Sequence, residues 1–436
     1  MNLLKSALGL LLLLNIGGAN AQLRERIVKL NVVPDHEDWK YEPGENVEFE
    51  VSVTKNRVPM KGVTVWYEIS KDMMSPVKKD TVVLKNGTLT IQAGTMKEPG
   101  FLRCRVWTRY EGKSLIEGRG TAAFTPEKLL PVAEMPEDFE SYWNNALRTN
   151  KKLPMDVKLR LLPDRCTEKV NVYEWSMQNH HAGSRMYGIL CVPAAPGKYP
   201  ALLKVPGAGV RPYAGAIAEA EKGIITLEVG IHGIPVTMPT EVYTALAQGG
   251  LYRCQYQNWD NRDEVYYKRV YLGCARAVDY LCAMDKFDGK NLVVYGGSQG
   301  GALSIVTAAL NPRVTGVVSF FPALSDLGGD LKGRAGGWPH LFMRSTDSPE
   351  VKKLKQKVTE YYDVVNFAKR IKVPVFFYLG YNDMVCPPTT TYSVYNTLTS
   401  PKQLLIMEEA EHYAYPEHWA KAMDWAYSIL HVSLNQ

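Results

Sequence analysis

The chain has no stacked run of lysine or arginine. Its 51 basic and 45 acidic residues leave a formal charge of only +6, scattered along the length. Such a balance gives no footprint for nucleic acid. The apolar run Ala7–Ile16 is too short to span a bilayer easily and no later stretch is long enough, so membrane insertion is not expected. Its 7 cysteines form no Cys-x-x-C pair and no zinc-type spacing. An oxidising compartment would permit a disulfide, but the spacing pairs none of them, and mostly buried free thiols are the favoured reading. Internal repeats and low-complexity segments are also missing.

What is present begins with an address. Lys5 supplies a positive start, Ala7–Ile16 is leucine-rich, and Ala19-Asn20-Ala21 is an A-x-A cleavage signal. Residues 1–21 are therefore expected to be a secretory signal peptide cut before Gln22, with a retained anchor as the alternative. The residue directly after the cleavage site is Gln22 and not a cysteine, so a lipid anchor there is unsupported. The mature protein is expected to be soluble and exported, secreted or periplasmic.

The length of 436 residues suggests more than one domain, and 46% apolar with 22% charged residues suits a sizeable core. Residues 22–130 are expected to be an all-β module. Val47, Phe49, Val51 and Val53 alternate with polar residues, the period of a half-buried strand. Val63–Ile69 and Leu102–Trp107 are rich in β-formers, and Pro43-Gly44, Asn86-Gly87 and Pro99-Gly100 punctuate the strands. This spacing predicts an immunoglobulin-like sandwich, with a spacer or packing role favoured over glycan binding.

Pro126, Pro131 and Pro136 mark a boundary. Residues 131–436 then alternate strands and helices, which predicts an α/β fold with a mostly parallel sheet. Strands are expected at 201–205, 224–229, 292–295, 314–320, 375–379 and 404–407. Helices are expected at 266–284, 302–310 and 417–430, the last with Trp419, Met423, Ala426 and Leu430 on one face.

The strongest chemical signal is Gly296-Gly297-Ser298-Gln299-Gly300, placed between an apolar strand and a small-residue helix. That context is the nucleophile elbow of the α/β-hydrolase fold, in which a sharp turn exposes the serine hydroxyl. The alternative is a glycine-rich turn with a chance serine. A serine hydroxyl needs a base, and the base an orienting acid, in the chain order serine, acid, histidine. Asp383 and His412 follow strands 375–379 and 404–407 and fit that order. His418 and His431 belong to the last helix and its end, while His232 and His340 precede the acid. Asp363 is a rival acid, but it precedes a helical stretch, and Glu408, Glu409 and Glu411 read as a solvated loop face. The backbone N–H of Gln299, at a helix start, is one candidate oxyanion donor. Ala208, in Pro206-Gly207-Ala208-Gly209 after an early strand, is the other, with a plain turn as its alternative. Tyr256, Trp259 and Trp338 are either walls of a sugar-facing pocket or ordinary packing.

Further motifs fit one family. Pro136–Trp143, Tyr266-Tyr267-Lys268-Arg269, Ala275-Arg276-Ala277-Val278, Gly297–Gly301, Asn382-Asp383 with Cys386-Pro387-Pro388, and Tyr395-Asn396 together resemble carbohydrate esterase family 7, the acetyl xylan esterase and cephalosporin C deacetylase group. The resemblance spans about residues 136–430. It implies an acetyl esterase acting on acetylated carbohydrate or another small acetyl ester, without metal or cofactor. It gives Ser298, Asp383 and His412 the triad roles, and Gln299 and Ala208 the oxyanion roles. Two departures stand out. Pro206-Gly207-Ala208 replaces the family's His-Gly-Tyr, and Gly230–Pro235 stands where its Arg-Gly-Gln signature belongs. The family's substrate preference and ring assembly are not carried over, so the oligomeric state stays open. A serine peptidase of the prolyl oligopeptidase type and a non-catalytic glycan-binding protein are the alternatives.

Overall fold

The computed structural model describes residues 27–111 and 114–432, so the expected signal peptide lies outside the described residues. The N-terminal part consists of β1 (Val28–Pro34), β2 (Lys40–Tyr41), β3 (Val47–Lys55), β4 (Val58–Pro59), β5 (Val63–Lys71), β6 (Lys78–Leu84), β7 (Thr88–Gly94), β8 (Gly100–Tyr110) and β9 (Ser114–Phe124). They form a four-stranded sheet, β1-β3-β4 with β7 on β3, and a five-stranded sheet ordered β2-β9-β8-β5-β6. Along β3, Val47, Phe49, Val51 and Val53 are fully buried while Glu48 and Glu50 face solvent. Period-2 alternation thus fixes which face each strand buries. Both sheets bury apolar residues in one shared core. β9 runs close to β1 because Gly118 and Gly120 lack side chains. A Cβ there would lie 2.6 Å from the carbonyl oxygens of Leu30 and Val32.

The larger part adds β10 (Lys158–Leu161), β11 (Val170–Gln178), β12 (Arg185–Pro193), β13 (Tyr199–Lys204), β14 (Ile225–Gly230), β15 (Phe287–Gly297), β16 (Gly316–Phe320), β17 (Val375–Gly380) and β18 (Lys402–Met407). Its helices are α1 (Phe139–Lys151), α2 (Ile217–Ala220), α3 (Thr240–Gln248), α4 (Tyr266–Cys282), α5 (Gln299–Leu310), α6 (Pro349–Thr359), α7 (Val364–Ala368), α8 (Pro388–Thr397) and α9 (Pro416–Ile429). One nine-stranded sheet runs β10-β11-β12-β14-β13-β15-β16-β17-β18. It is antiparallel from β10 to β14 and parallel from β14 to β18. β14, β16 and β17 are buried at every position, as parallel strands covered on both faces must be.

Two expectations are refined. The antiparallel strands β10–β12 precede the parallel set. α5 begins at Gln299 rather than Ala302, so the nucleophile candidate adjoins the helix directly. The module also shares a core with the larger part: Trp39, Phe101, Ala123 and Leu129 belong to the same apolar cluster as the nine-stranded sheet. All seven cysteines are free thiols. Cys166 and Cys282 are partly exposed and the others buried.

Candidate active site

Ser298 occupies the single residue between β15 and α5, at φ 60° and ψ −124°. A non-glycine residue in this strained region costs about 1–3 kcal/mol, and the surrounding structure must hold it. Its N–H donates to the Phe320 carbonyl (2.9 Å), and its carbonyl accepts from the N–H groups of Ala302 (3.1 Å) and Ala323 (3.0 Å). The flanking glycines make the turn possible. A Cβ on Gly300 would meet the Val205 carbonyl at 2.5 Å, and one on Gly301 the Phe320 carbonyl at 2.4 Å.

The structure brings Ser298, His412 and Asp383 into one hydrogen-bonded line. His412 Nε2 lies 2.9 Å from Ser298 Oγ, and His412 Nδ1 lies 2.7 Å from Asp383 Oδ2. Asp383 is fully buried, and its Oδ1 accepts the N–H groups of Val385 (2.7 Å) and Cys386 (2.9 Å). The carboxylate therefore has no freedom to turn. With Nδ1–H donated to it, Nε2 is left as an acceptor facing the serine hydroxyl. Phe321 covers the imidazole, ring centroids 4.6 Å apart.

Loop 206–209 follows β13, and each of its four carbonyls takes a donor from a side chain outside the turn. The Pro206 carbonyl accepts from Gln299 Nε2 (3.3 Å), and the Gly207 and Ala208 carbonyls accept from Arg211 Nη2 (3.1 Å) and Nη1 (2.8 Å). The Gly209 carbonyl pairs with His232 Nε2 (3.0 Å). That bond makes Nε2 the protonated nitrogen, so Nδ1 accepts the Tyr266 hydroxyl at 2.7 Å. Burial, the largest influence, lowers the pKa of His232, which keeps it neutral in this bridging role. Because a trans peptide points its C=O and N–H in opposite directions, Arg211 on the Gly207 carbonyl aims the Ala208 N–H away from itself. Gln299 is pinned similarly: its Oε1 accepts the Tyr267 hydroxyl (3.0 Å), which fixes the first turn of α5. The first N–H groups of a helix have no partner within it and are available to an anion.

Other sequence candidates stand elsewhere. Trp259 is 2% exposed, donates to the Gln255 carbonyl and packs on Tyr267 and Tyr362, so it belongs to the core and not to a pocket wall. Tyr256 is exposed, with its hydroxyl on the Pro339 carbonyl and Arg253 over its ring, and Trp338 is half-buried against the core. Asp363 caps α7 and accepts N–H groups from Asp326, Leu327 and Val365. Burial first, then the charge of Asp326, pushes its carboxyl up to about 7. His418 lies in α9 beside Tyr378 and Tyr415. Glu411 reaches Arg119 of the module at 3.7 Å. No pattern in the sequence marks Arg211, whose role depends on how the loop folds back.

Residues 127–429 match the family model described as acetyl xylan esterase (AXE1). The chain is similar to acetyl esterase Axe7A of Xylanibacter ruminicola, 41% identical over 399 residues that cover 90% of this chain and 89% of that one. Among solved structures it is similar to an acetyl xylan esterase from Paenibacillus sp. R4, with TM-score 0.60 and 25% identity over 70% of this chain and 98% of that one. It also resembles acetyl xylan esterase 1 from Thermoanaerobacterium sp. JW/SL YS485, with TM-score 0.58 and 24% identity over 70% and 97% of the two chains.

Proposed function

Since this chain belongs to the acetyl xylan esterase family and is a carboxylic ester hydrolase, we propose that it deacetylates acetylated carbohydrates through Ser298, His412 and Asp383. The observation that carries this reading is the line of hydrogen bonds from Ser298 Oγ through His412 to the buried Asp383. In the first step Oγ attacks the acetyl carbonyl carbon as its proton passes to His412 Nε2. Asp383 holds the imidazole and offsets the charge it gains. The carbonyl oxygen becomes an anion and is received by the backbone N–H groups of Gln299 and Ala208. Collapse expels the sugar oxygen, which takes the proton from Nε2 and leaves an acetyl group on Ser298. In the second step water attacks that ester, giving its proton to Nε2. Acetic acid departs and ionises to acetate in solution, and Ser298 Oγ takes the proton back from Nε2.

We further propose that the described part of residues 22–130 is an immunoglobulin-like sandwich, that of residues 131–436 an α/β-hydrolase domain, and that the chain is exported after loss of residues 1–21. Among the described residues no helix is long and apolar enough to cross a membrane.

Arg211 gives a direct test of the oxyanion loop. Arg211→Met keeps a long apolar stem and removes both donors. Turnover should fall roughly tenfold to a hundredfold with little change in KM, since a misaimed N–H is felt mainly in the transition state. Unchanged kcat would mean that the backbone alone directs Ala208. The substrate reading is tested by product release across a panel: acetate from acetylated xylo-oligosaccharides and other acetylated glycans, the longer acid from longer-chain acyl esters, and the amine from dipeptidyl amides. The acetylated glycans should give the highest kcat/KM. Faster cleavage of the dipeptidyl amides would overturn the proposal.

A further inference from the structure

We infer that the N-terminal module is a working part of the active site: its Arg103 is a positioning residue that holds the loop carrying Asp383. The inference rests on the reading of Asp383 as the acid behind His412. Arg103 comes from β8 and is 1% exposed. A buried guanidinium needs a counter-charge and partners for its N–H groups. Nη1 forms an ion pair with Asp72 of the module at 2.8 Å. Nη2 crosses to the larger part and donates to the carbonyls of Tyr381 (3.0 Å) and Asp383 (3.3 Å).

Arg103 does not act alone. Its Nε donates to Thr121 Oγ1 (3.0 Å), and that hydroxyl donates to Asn382 Oδ1 (2.8 Å). Asn382 Nδ2 in turn donates to the carbonyls of Arg119 (3.0 Å) and Glu409 (3.2 Å). Glu409 lies on the loop that leads to His412, so one amide ties module, acid loop and histidine loop together. Asp72 also accepts the N–H and hydroxyl of Thr389 at the start of α8, and Phe101 packs on Tyr381. Asp383 is thus fixed from two sides. Its carboxylate is set by Val385 and Cys386, and its main chain by the module. Asp72, Arg103 and Thr121 all lie outside residues 127–429, the part that matches the family model.

The test uses the full chain and three variants. Arg103→Gln with Asp72→Asn removes both buried charges together and leaves no orphaned ion. Thr121→Val breaks only the hydroxyl link, and Thr121→Ser restores it. Each is assayed on 4-nitrophenyl acetate across pH, with thermal unfolding as a control. The double variant should lose about 10–100-fold in kcat with KM nearly constant, since small displacements of a catalytic group act on the transition state. The acidic limb of kcat/KM should move to lower pH, because a looser Asp383 stabilises the protonated His412 less. Thr121→Val should move both readouts in the same direction, and Thr121→Ser should return them. If the double variant fails to fold, Thr121→Val decides. A folded variant with parental kcat and an unshifted acidic limb overturns the inference. Labelling of Ser298 by a fluorophosphonate in the parent protein separates this outcome from failure of the triad reading: labelled parent with indifferent variants sinks the module's role alone.

Discussion

Ser298→Ala is expected to lower the hydrolysis of 4-nitrophenyl acetate by roughly four to six orders of magnitude, with the fold intact. The size follows from the chemistry: without Oγ no acyl-enzyme forms, and what remains is the rate that binding and the oxyanion donors give to direct attack by water. The fold should survive because the side chain contributes no backbone contact. The strained turn is held by main-chain bonds to Phe320, Ala302 and Ala323, all of which alanine keeps. Initial rates together with circular dichroism would check this, and turnover within tenfold of the parent would remove Ser298 from the mechanism.

Asp383→Asn should cost about as much as the better half of that loss, on the order of 10⁴ in kcat. The reason is where the amide must sit. Oδ1 accepts two backbone N–H groups, from Val385 and Cys386, so the new NH2 cannot occupy that position without facing two donors. It goes instead to the place of Oδ2 and donates to His412 Nδ1. That forces the proton onto Nε2, which then faces Ser298 with a hydrogen instead of a lone pair. The variant should fold, since Oδ1 still accepts both backbone N–H groups, and should bind substrate with near-parental KM. A kcat loss below tenfold would show that His412 needs no acid to hold its tautomer.

Much of this arrangement could be read along the chain because parallel strands covered on both faces are apolar throughout and stop abruptly at polar turns. β17 ending before Asn382-Asp383 and the glycine pattern around Ser298 are of this kind. The strands β10–β12 were not legible. β10 has four residues, all exposed, alternating lysine and arginine with leucine, which is how a short edge strand protects itself and also how a loop looks. Trp259 could be a pocket wall or core on composition alone, and only its burial decides. Arg211 and Arg103 were invisible for another reason. A guanidinium is recognised by the carbonyls it meets, and carbonyls belong to every residue, so no pattern in the sequence marks the pairing. Arg103 and the Asp383 carbonyl are 280 positions apart.

That separation has a consequence in time. The ribosome completes β8 long before it reaches the acid loop. At about 5–20 residues per second, 280 residues take roughly 15–60 s to polymerise. Throughout that interval the face bearing Phe101, Arg103 and Thr121 has no Tyr381, Asn382 or Asp383 to cover it. The first third of the polypeptide must wait, solvated and incompletely closed, for the last third to arrive.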